Sequence, residues 1–147
     1  MLRPYICVAC EKVIMAGGDL PSLIGLFSKL TVAIPPDAPA IPPNALSPKE
    51  WFVFSSWHTE PGDELREYIY CMHILFPDGT SFGEITRKPI RIERGKRAQV
   101  TASLPGFPIG QIGFYTVKVW IEENQRTVVE PIEFQIELEI VRQRQPQ

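Results

Sequence analysis

The chain has 147 residues, 44% of them hydrophobic and 22% charged, with a formal net charge of -2. That length suits a single domain spanning residues 1–147, and the apolar fraction can build a core without disulfides or metal. The near-neutral balance excludes a global pull toward nucleic acid or an anionic membrane surface.

Cys7, Cys10 and Cys71 are too few, and odd in number, for a secreted disulfide scaffold. The apolar run at the start is short and broken by Glu11, unlike a signal peptide, and no run approaches the length that spans a membrane. A cytoplasmic protein with no membrane partner is expected.

Residues 5–16 read as a strand apolar on both faces, as for a strand covered above and below. Gly17-Gly18-Asp19 supplies a tight turn into a second run, residues 22–34, and the two together read as a hairpin. Residues 35–48 hold Pro35, Pro36, Pro39, Pro42, Pro43 and Pro48. Proline removes backbone donors, so this stretch reads as a stiff, exposed connection from one sheet to another. It lacks a clean PxxP repeat with basic flanks, so a crossover outweighs a docking site there.

Residues 51–59 form the next expected strand, with Trp51, Val53 and Trp57 on one face. Residues 65–76 follow, ended by the turn Pro77-Asp78-Gly79. Shorter strands are expected at 82–86, 89–92 and 97–104, before the corner Pro105 to Gly110. Then 112–121 alternates Tyr115, Val117, Val119 and Ile121 against Thr116, Lys118 and Trp120.

The last run, Pro131 to Val141, alternates most clearly of all, with Pro131 expected at its start. Ile132, Phe134, Ile136, Leu138 and Ile140 share one face; Glu133, Gln135, Glu137 and Glu139 share the other. The 112–121 strand is its expected hairpin partner. Residues 142–147 read as a polar tail.

No window shows the 3.6-residue period of an amphipathic helix. The spacing predicts an all-β fold, a single antiparallel β-sandwich of about seven to nine strands, immunoglobulin-like in general architecture.

Three segments carry a resemblance: 10–14 with 22–27, the proline-rich connection leading to Trp51, and 104–108 with Gly113 to Val119. On these the chain resembles an uncharacterised bacterial or phage family of small β-sandwich domains. The resemblance implies the sandwich and an intracellular bacterial or phage origin; none of its motifs is catalytic.

The sharpest chemical candidate joins Cys7, Cys10, Cys71 and His73, which as three thiolates and an imidazole would suit zinc. Residues three apart on a strand point to opposite faces, and Val8-Ala9 offers no turn, so structural burial is the preferred reading. Ser55, Ser56, His58 and Asp63 supply nucleophile-type residues without a nucleophile elbow. Glu133, Glu137 and Glu139 read as a solvated face, and Gly17-Gly18 lacks phosphate-loop spacing.

Arg87, Lys88, Arg91, Arg94, Lys96 and Arg97 cluster on two short strands and their turn. They would present a positive ridge to nucleic acid or an acidic partner, or protect a sheet edge. The protective reading is preferred, because no aromatics interleave; nucleic acid is not the expected partner. Trp120 points outward, either as a platform for a protein or sugar or beneath a neighbouring loop.

The sequence thus predicts a non-enzymatic binding or assembly domain with a protein partner and no cofactor, leaving room for a homo-oligomer. The partner would be met through a sheet edge, the proline-rich connection or the Trp120 face. The alternatives are a metal or ligand site at the cysteines and His73, or a carbohydrate or nucleic-acid binder using Trp120 or the basic cluster.

Overall fold

A computed structural model describes residues 1–16 and 20–143. The turn expected at 17–19 and most of the expected polar tail lie outside these residues. The described residues are all-β, with one short 3-10 turn at Asp63–Leu65 and no helix long and apolar enough to cross a membrane.

In chain order the strands are β1 (Arg3–Ala16), β2 (Leu20–Leu26), β3 (Lys29–Ile34), β4 (Leu46–Ser47), β5 (Trp51–His58) and β6 (Tyr68–Leu75). They continue as β7 (Ser81–Pro89), β8 (Ala98–Leu104), β9 (Phe107–Pro108), β10 (Gly113–Glu123) and β11 (Arg126–Arg142). One sheet runs β2-β1-β5-β8, a second runs β3-β11-β10-β6-β7, and β4 pairs with β9 alone.

Alternation decides what each sheet buries. Trp51, Val53 and Trp57 point inward from β5, joined by Ala98, Val100 and Ala102 of β8. Tyr70, Met72 and Ile74 of β6 meet them, with Tyr115, Val117, Val119 and Ile121 of β10 and Ile136 and Leu138 of β11, in one cluster. At one end a line of rings runs Phe27, Trp51, Phe107, Tyr115, Phe76, Phe82, with successive centroids 5.1–5.9 Å apart. Aromatic pairs at this spacing add to what their buried area contributes.

Several expectations need correction. The pairing is not wholly antiparallel, because β3 runs parallel to β11 from Lys29↔Glu137 to Ile34↔Arg142. Residues 22–34 are not one strand: β2 ends at Leu26 and β3 joins the opposite sheet. Pro131 is not at a strand start, since β11 reaches back to Arg126. Its register against β10 shifts between Val119↔Ile132 and Ile121↔Val129, and Pro131 sits in that bulge, where a missing donor is tolerated. The expected strand at 89–92 is absent; β7 runs through to Pro89 and stops there.

The hairpin of β10 and β11 closes through Asn124 and Gln125 at φ 51 and 64, a pair of left-handed residues whose twist matches the flanking strands. The proline-rich stretch leads from β3 to β5, and thus from the second sheet to the first. It is not free of strand, since Leu46–Ser47 pairs with Phe107–Pro108. It is also tied down: Arg142 Nη1 donates to Pro36 O and Ala38 O at 3.2 and 3.1 Å. At Gly110 any Cβ would strike Pro43 O at 2.1 Å, so this close approach requires glycine.

Candidate functional site

The structure does not bring the four candidate metal ligands together. Cys7 pairs with Ser55 on the inward face of β1, whereas Cys10 pairs with Phe52 on the opposite face. Cys71 lies on the outer face of the second sheet, where Arg87 Nη1 donates to its thiol at 3.4 Å. His73 is held by Ser81, Nε2 to Oγ 2.7 Å. All three cysteines are free, and no group of three or more His, Cys, Asp or Glu able to hold a metal lies among the described residues.

Burial pushes the Cys7 thiol up to about 12. Burial, then the nearby Glu122 carboxylate, pushes Cys71 up to about 11. Both shifts disfavour the thiolate form, which is the one that attacks. Behind Cys7 the Tyr70 hydroxyl is buried beside Ser55, and burial raises its pKa as well. Its neighbour Ser55 accepts from Trp57 Nε1 at 3.0 Å.

Of the two hydroxyls, Ser56 shares the outer face of β5 with His58, and Ser55 does not. Ser55 faces the core, and the His58 ring packs edge-on against Tyr5 at 5.1 Å. Asp63 is buried at the start of the 3-10 turn. It accepts from Tyr68 Oη at 2.9 Å and Glu60 N at 2.8 Å, and it lies 3.3 Å from the Met1 ammonium. Burial opposes its ionisation, but these donors outweigh burial and hold the carboxyl below its ordinary range.

The basic residues form no continuous ridge. Arg87 pairs with Glu122 at 2.5 Å, and Lys96 with Glu93 at 2.8 Å. Lys88 Nζ donates to Thr101 O of β8 at 3.1 Å, bridging the edge strands of the two sheets. The guanidinium of Arg97 lies 4.0 Å from the centre of the Tyr5 ring. Arg91 and Arg94 are exposed on the loop after β7.

Trp120 is half-buried on the outer face, beside Cys71 in register, and its Nε1 donates to Glu122 at 3.1 Å. Around it, Lys118–Glu133 at 3.4 Å and Lys29–Glu139 at 2.9 Å extend a polar grid across the sheet.

The opposite margin of the molecule is open. β5 pairs with β1 from Arg3 to Cys10, while β2 pairs only from Cys10 onward, so residues 3–8 keep one unpaired side. β3 covers β11 only from Glu137, so the earlier part of β11 also has an unpaired side. Between these edges lies a cleft of about 320 Å³ lined by Cys7, Val8, Leu26, Phe27, Phe134 and Gln135, among others. Sequence reading missed this cleft. Its only signal was the run-on of residues 22–34, which conceals the switch of sheets at Ser28.

No protein-family model matches the chain, and no curated protein matches it in sequence.

Proposed function

We propose that the chain is a non-enzymatic binding or assembly domain that engages a protein partner, in the cytoplasm, at the cleft between β1 and β11. The observation that carries this reading is the pair of unpaired strand edges flanking an apolar floor. Such an edge offers backbone donors and acceptors in register for an added strand, with side-chain pockets for selectivity. The far margin carries the devices that refuse such pairing: Lys88 across the gap, Pro89, and an irregular register in β7.

Within this reading the two sheets form a β-sandwich of immunoglobulin-like general architecture. Support comes from the buried tryptophans of β5 and from Tyr115, whose hydroxyl donates to Gln111 O at 2.7 Å. A tyrosine bonded to backbone a few residues upstream is a recurrent corner in such folds. The separate engagements of Ser55 with Trp57, His58 with Tyr5, and Asp63 with Tyr68 and the Met1 ammonium support a non-enzymatic role. The free thiols fit a reducing compartment.

Partner capture by the purified chain tests the site. Leu26→Asp, at an exposed position of the cleft, abolishes capture, and binding slows amide exchange across residues 3–8. Trp120→Phe and Arg94→Ser retain the partner. Loss with Trp120→Phe and retention with Leu26→Asp would overturn the reading.

A further inference from the structure

Phe54 and Cys10 are buried, at 2% and 0% exposure, yet they stand outside the central cluster. Phe54 lies on the outer face of the first sheet, since Val53 and Ser55 face inward. Its cover is the β1–β2 hairpin. Leu20 pairs with Ala16 at the far end of β1, and eleven extended residues from Tyr5 would span roughly 36 Å. Nevertheless Tyr5, Ile6, Leu20, Leu23 and Phe54 line one cavity of about 370 Å³. The hairpin therefore folds back over the sheet, and within it Gly25, at φ 67, stands against the Glu11 side chain.

One wall of that cavity is apolar; Arg97, Lys96, Gln99 and the buried Ser56 stand at the other. The Tyr5 ring holds the Arg97 guanidinium in place, and Arg97 makes no ion pair among the described residues. An arginine fixed on an aromatic face presents its remaining donors as a fork suited to a carboxylate. The volume lies within the range of small-molecule sites.

We propose that this cavity binds a monocarboxylate carried on an apolar chain, of the fatty-acid type. The carboxylate pairs with Arg97 and the chain lies between Leu23 and Phe54 under the hairpin. This site shares no lining residue with the protein-binding cleft and does not depend on it.

Titration calorimetry of the full chain with decanoate, kept below micelle formation, tests the assignment. Decanoate binds saturably with one site per chain, whereas acetate and decanol bind at least about tenfold more weakly, since each lacks the apolar chain or the charge-assisted bonds. Arg97→Gln, on an exposed side chain, erases the preference for decanoate over decanol. Leu20→Ser, at a position 74% exposed, weakens both without unfolding the protein. Equal binding of decanoate and decanol, indifferent to Arg97→Gln, overturns the proposal. So does saturable binding of an N-acetylated Leu-Leu peptide where decanoate fails.

Discussion

The two outer faces of the molecule are built on opposite terms. On the second sheet, Glu133, Gln135 and Glu137 of β11 stand outward beside Lys118 and Thr116 of β10, and ion pairs knit the surface. On the first sheet, Val8, Cys10, Phe52 and Phe54 stand outward, and the hairpin lies over part of them. A strand facing water must alternate; a strand covered on both sides need not. The difference locates a second, minor apolar layer that a reading based on alternation alone does not place.

The comparison breaks most sharply at Phe54. Phe54→Ala removes a buried ring from the roofed face and is expected to cost about 3–5 kcal/mol in urea denaturation, whereas Thr116→Ala on the polar face stays near zero. A loss under 1 kcal/mol at Phe54 would mean that the hairpin does not cover it.

Gly25→Ala comes next. A side chain at φ 67 costs about 1–2 kcal/mol. The added Cβ would also lie 2.7 Å from Glu11 Cγ, although that flexible carboxylate can shift. The expected signature is faster amide exchange in β2 with β10 unchanged.

pH separates the regions without mutation. The folded-state pKa of Cys7 is raised to about 12, so its contribution is complete below the ordinary thiol value of 9.0 and lost as pH climbs toward 12. Cys7→Val is expected to flatten that alkaline decline in melting temperature. Asp63 behaves oppositely: its depressed pKa contributes stability above the ordinary carboxylate range, lost as pH falls through the folded value. Asp63→Asn flattens the acid limb.

The smallest effect is expected on the polar grid. Lys118→Ala, an ion pair with a 56% exposed glutamate, should cost under about 0.5 kcal/mol, and less in high salt. A larger loss would show that the grid ties the sheet together.

What the sequence made legible follows the same division. The alternation in β10 and β11 named the inward residues, and Trp51, Val53 and Trp57 were correctly grouped. Residues 5–16, apolar on both faces, read as a strand covered above and below, yet Tyr5, Ile14 and Met15 are exposed, and the cover that β2 gives Phe54 leaves no periodicity in the sequence. The parallel pairing of β3 was hidden for a related reason: its residues alternate alike in either direction and either sheet. The basic run looked like one patch in sequence, yet alternation and a loop gave Arg87, Lys88 and Arg97 separate partners. The cleft was invisible because it is defined by where pairing stops.

The parallel contact of Lys29–Ile34 with Glu137–Arg142 also sets an order of events during synthesis. A strand made early must wait for one made more than a hundred residues later before its edge is satisfied. Closing so long a loop is slow, and the waiting strand is open to wrong partners. A nascent chain arrested before residue 137 should therefore hold β3 unpaired, protease-sensitive and ready to recruit a chaperone.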